Sequence, residues 1–140
     1  MRKLKLIVIF FFSLTSINSF SQNYCSYINE DSVGVKWHEK SDTTESTITY
    51  LGKVVNDSGQ ICYYVLTEFS RVKAANNWHG QSTLIFLNEE KELISRIELG
   101  LPSDLPQKIE ENRLCFSNGF VFILEDSPPK IVCVAKDDCY

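Results

Sequence analysis

From Ile61 to Leu99 the chain alternates apolar and polar side chains with the two-residue period of β-strands. In Ile61 to Val72, residues Ile61, Tyr63, Val65, Thr67 and Phe69 share one face, and Cys62, Tyr64, Leu66 and Glu68 share the other. Ser82 to Asn88 is apolar on both faces, as a central strand would be. The polar connection Asn88-Glu89-Glu90-Lys91 fits a type I turn, after which Glu92 to Leu99 sets Leu93, Ile97 and Leu99 against Glu92, Arg96 and Glu98. These segments predict a β-meander. The link Lys73 to Gly80 either extends the first hairpin around Asn76-Asn77 or makes a longer loop.

Upstream, Val33, Val35 and Trp37 alternate with Gly34, Lys36 and His38 and predict a short first strand. Ser46 to Val55 predicts a second strand, in which Gly52 marks a bulge, and Asn56-Asp57-Ser58-Gly59 turns the chain. Asn56-Asp57-Ser58 is also a glycosylation sequon, read here as a turn only. Prolines 102 and 106 exclude a strand between Gly100 and Pro106, and Gln107 to Asn112 has room for one short helical turn. Asn118-Gly119 between Arg113–Ser117 and Phe120–Glu125 predicts a two-residue type I′ hairpin. That register sets Phe116 against Val121 and Leu114 against Ile123, and a last strand, Lys130 to Ala135, adds to it. Leu114, Phe116, Val121, Ile123, Val132 and Val134 then form a core face. Phe120, Phe122, Leu124 and Ile131 form a second apolar face that asks for a cover, either the N-terminal segment or a partner protein. The expected fold is all-β, a single antiparallel meander of about seven or eight strands closed as a barrel or stacked as a two-layer sandwich.

The first residues alter the charge picture. Arg2, Lys3 and Lys5 precede an apolar run from Leu6 to Leu14 broken only by Ser13, followed by polar residues and Ser19-Phe20-Ser21. This is the order of a secretory signal peptide over residues 1–21 cut before Gln22, and its apolar run is far short of the about 20 residues needed to cross a membrane. The expected product is one domain, residues 22–140, secreted to a periplasm or the exterior, with no membrane insertion after cleavage. The leader holds three of the fourteen Lys and Arg and none of the eighteen Asp and Glu, so that domain carries eleven cations against eighteen anions, a net charge of −7. Such a surface repels nucleic acid and anionic lipid.

Export makes disulfides the default for Cys25, Cys62, Cys115, Cys133 and Cys139. Five thiols allow two bridges in fifteen ways with one left over. The expected register separates Cys115 from Cys133 by one strand, about 9.6 Å, beyond the about 7 Å reach of a disulfide. The alternative is a strap from Cys25 to Cys133 or Cys139.

Candidate chemistry is sparse. Trp37-His38 and Trp78-His79 could converge as a metal or sugar site, yet zinc needs a third protein ligand and no CxxC is present. His79-Gly80-Gln81-Ser82 lacks the nucleophile elbow of a serine hydrolase. The carboxylate pairs follow no calcium-loop pattern, and the six glycines form no phosphate loop. No cofactor is implied. The first expected function is an exported protein-binding module of the inhibitor or immunity type. The second is a small-ligand carrier with a barrel interior lined by Tyr50, Tyr63 and Trp78, and the third is an enzyme using His38 or His79.

Overall fold

The computed structural model describes residues 23–140, so the expected leader lies outside the described residues. Within them the chain is all-β and antiparallel. Five consecutive strands, β1 (Lys36–Lys40), β2 (Thr44–Val55), β3 (Ile61–Ala74), β4 (Asn77–Leu87) and β5 (Leu93–Leu99), form one sheet in chain order. Of the two expected forms the β3–β4 link is the extended hairpin and not the longer loop, but it turns one residue earlier than expected: Ala74 pairs with Asn77, and Ala75, at φ 56°, and Asn76 form the two-residue loop. Asn56 closes β2–β3 by accepting hydrogen bonds at Oδ1 from the Ser58 and Gln60 amides (3.0 and 2.9 Å). Asn88 closes β4–β5 in the same way, on the Glu92 amide (2.9 Å).

The pairing of β2 with β3 slips between Tyr50 and Gly52, where Gly52 adopts φ 138°. One consequence is that β2 serves both faces of the sheet. Before the bulge, Ile48 and Tyr50 pack with Tyr64, Leu66, Ile85 and Leu87; after it, Leu51 and Val54 pack with Tyr63, Val65, Leu84 and Phe86 on the other side. Tyr24 and Tyr27, from a 3-10 turn spanning Tyr24–Tyr27, cover the first group. The second group is covered by the C-terminal part of the chain.

That C-terminal part departs from the single meander of seven or eight strands. It forms two further sheets, β6 (Lys108–Glu110), β7 (Arg113–Cys115) and β8 (Val121–Ile123), then β9 (Cys133–Ala135) with β10 (Asp138–Cys139), for ten strands in all among the described residues. Gln107–Asn112 is not a helical turn, because β6 pairs with β7 across Glu111 and Asn112, both at positive φ. Asn112 pins this sheet to the end of β2, donating from Nδ2 to the Val55 carbonyl (2.7 Å) and accepting at Oδ1 from the Val55 amide (3.2 Å).

The β7–β8 register is also corrected. Phe116 bonds with Phe120 around a three-residue loop ending in Gly119 at φ 84°, so Leu114 faces Phe122 and Cys115 faces Val121. A shift of one residue exchanges the faces. Phe120, Phe122 and Leu124 therefore pack into the core beside Leu114 and Phe116, whereas Val121 (43% exposed) and Ile123 (70%) face outward. Ile131 alone of the expected second apolar face stays exposed. The last strand does not extend β8. Cys133 bonds to Cys139 across the β9–β10 hairpin, which replaces the strap from Cys25; Cys25, Cys62 and Cys115 are free thiols.

Candidate functional site

A cleft of about 520 Å³ opens between the β1–β3 region of the large sheet and the connection 102–107. Strand alternation sets its floor. Thr49 and Thr67 are direct cross-strand partners, and Thr47 faces Phe69 one row further along. Leu51 completes the floor beside the bulge. Thr49 is 8% exposed and Thr67 is 5% exposed, and both line the cleft. Neither hydroxyl makes a hydrogen bond among the described residues, and both open onto the cleft; the fully enclosed unbonded hydroxyls are those of Ser82, Thr83 and Ser95.

The near wall comes from β1, where Lys36 pairs with Thr49 and His38 with Thr47. His38 Nδ1 lies 3.0 Å from Thr47 Oγ1, which fixes the ring against the strand. The far wall is the proline-rich connection. Pro102–Asp104 forms a 3-10 turn whose Asp104 accepts from the Leu101 amide (2.8 Å) and from the Tyr140 hydroxyl (3.0 Å). Those bonds hold the wall in place and engage the Asp104 carboxylate. Gly100 makes the closure possible, since a Cβ there would sit 2.4 Å from Tyr140 Oη. Pro102, Ser103, Leu105 and Gln107 face the cleft from this side.

The two Trp-His pairs do not meet. His38 and Trp37 point to opposite faces of β1, and Trp37 packs 6.2 Å from the Tyr27 ring. Trp78 and His79 are both exposed at the β3–β4 end, and the Arg71 guanidinium stands 5.3 Å over Trp78. Tyr50 and Tyr63 are fully buried in different core groups on opposite faces, so with Trp78 they do not line one interior. Among the described residues no three His, Cys, Asp or Glu side chains gather as metal ligands. Of the residues expected at a site, His38 is the one the cleft contains.

The opposite face of the sheet carries a buried carboxylate. Glu68, 3% exposed, accepts from Arg96 (3.3 Å) and from Tyr24 Oη (3.4 Å), while Tyr27 bonds to Glu39 nearby. Burial raises the Glu68 carboxyl above the usual range and Glu39 adds to this, against the lowering effect of Arg96 and Tyr24. A carboxyl raised on folding contributes its stability fully below the unfolded pKa, and that contribution is lost as pH rises through the folded value. Relative to Glu68→Gln, the native chain is expected to lose stability as pH rises above the ordinary carboxylate value of 4.5. Urea unfolding of both proteins as pH is raised measures it, and a difference independent of pH would contradict the assignment.

No protein-family model matches this chain, and neither a curated protein nor a solved structure matches it.

Proposed function

We propose that the chain is a small exported binding module without chemistry or cofactor of its own, built as two packed layers, and that its cleft receives an extended segment of a partner protein in the envelope or exterior. The observation that carries this reading is the pair of Thr49 and Thr67 hydroxyls, which open onto the base of the cleft with no hydrogen-bond partner among the described residues. A ligand that enters with hydrogen-bonding groups satisfies them, and one that does not leaves them unpaired, which gives selectivity for polar backbone over plain hydrocarbon. Apolar contacts on the same surface come from Leu51, Phe69 and Leu105. β1 lies at the sheet edge beside the cleft, so its outer backbone groups are open to a further strand. The Cys133–Cys139 bridge is in keeping with an oxidising compartment.

Panning a random peptide library on the secreted chain tests the proposal. Selected peptides are expected to shift the amide resonances of Thr47, Thr49, Thr67 and Gln107. Peptides that shift only the opposite end of the sheet, around 56–60 and 88–92, would place recognition elsewhere and defeat the reading.

A further inference from the structure

The walls of the cleft carry a charge pattern unlike the rest of the molecule, and it indicates the occupant's chemistry. Three other depressions in the surface each include carboxylates: Glu110 and Glu111 in one, Glu89 and Glu90 in the second, Glu39 and Glu68 in the third. The cleft between β1–β3 and 102–107 includes none. In a domain with eighteen carboxylates against eleven cations, a carboxylate-free cleft that holds a lysine and a histidine is a local reversal of sign. The nearest acid in sequence to the far wall, Asp104, is engaged by Tyr140 and the Leu101 amide.

Lys36 is also unclaimed. Further along the same strands Lys40 and Arg71 both pair with Glu45, whereas Lys36 has no ion-pair partner among the described residues. Its cross-strand neighbour is Thr49, whose own partner is Thr67, so the three residues lie in one row across β1, β2 and β3, and all three line the cleft. His38 lies one row away with Nδ1 directed to Thr47, which leaves Nε2 free. A cation beside two unbonded hydroxyl donors is a receptor for an anionic oxygen, and charge-assisted hydrogen bonds of this kind are the strong ones.

Resting on the cleft reading above, we infer that the bound segment carries a carboxylate, which sits between Lys36 and the Thr49–Thr67 pair while its apolar neighbours lie on Leu51 and Phe69. The carboxylate belongs either to an acidic side chain or to a chain terminus, and three short peptides separate these sources. They are N-acetyl-Leu-Asp-Leu-amide, the neutral N-acetyl-Leu-Asn-Leu-amide, and N-acetyl-Leu-Asn-Leu with a free terminal carboxylate. Each is titrated into the labelled secreted chain while the threonine methyl and His38 ring resonances are followed.

At least one charged peptide is expected to bind about tenfold more tightly than the neutral one, and Lys36→Glu, on an exposed edge strand, is expected to abolish that preference while leaving the folded spectrum intact. Preference for the aspartyl peptide assigns a side-chain source, and preference for the free acid assigns a terminus. Equal binding of charged and neutral peptides at these resonances overturns the carboxylate inference and leaves the cleft as a peptide site. Perturbation of none of them by any of the three peptides overturns both.

Discussion

Phe122→Ala is expected to destabilise the protein by about 3 kcal/mol, whereas Ile123→Ala, one residue further on, is expected to change stability by no more than about 0.5 kcal/mol. The asymmetry follows from the three-residue loop at Ser117 to Gly119. That loop aims Phe122 at Leu114 and the core shared with Leu84 and Phe86, and turns Ile123 to solvent at 70% exposure. Under a two-residue loop the two residues would exchange places. Chemical denaturation of the two variants reads the register directly, and a larger loss for Ile123→Ala would require the other pairing.

The second large effect is expected at the opposite face of the sheet. Tyr24→Ala should cost about 3 kcal/mol, because it uncovers the Ile48, Tyr50, Leu66 and Ile85 group and withdraws a donor from buried Glu68. Tyr24→Phe keeps the ring and is expected to cost about 1 kcal/mol. The Tyr24 hydroxyl offers an independent readout. Burial, with the negative Glu68 beside it, pushes its pKa up to about 12, so it stays protonated in alkali that ionises ordinary tyrosines. Equal losses in the alanine and phenylalanine variants would show that the ring contributes nothing and that residues 24–27 do not cap this face.

The large sheet is legible in the sequence because β2, β3 and β5 alternate, β4 is a continuous apolar run, and the β2–β3 and β4–β5 turns carry Asn at positions where its side chain binds the backbone. The C-terminal third was misread for a physical reason. Leu114 to Phe116 and Phe120 to Leu124 are apolar at both parities, so alternation could not choose the buried set, and the Asn-Gly pair fits loops of two or three residues. The choice is tertiary: Asn118 accepts from the Phe120 amide (2.9 Å) and donates to the Val134 carbonyl (2.8 Å), which holds it within the longer loop. The cleft was invisible because its far wall comes from 102–107, whose position depends on Tyr140 packing at Gly100. A signal did exist. Thr47, Thr49 and Thr67 share the parity of core residues, where hydroxyls are unusual.

Because every strand of the large sheet pairs with its immediate neighbour in the chain, loop closure during folding is short-range there. The long separations are bridged by attachments to it, such as Val55 to Asn112 from the C-terminal part and Tyr24 to Glu68 from the N-terminal turn. The hairpins of the large sheet are accordingly expected to form before the C-terminal sheets dock on them, an order that pulsed hydrogen exchange during refolding checks.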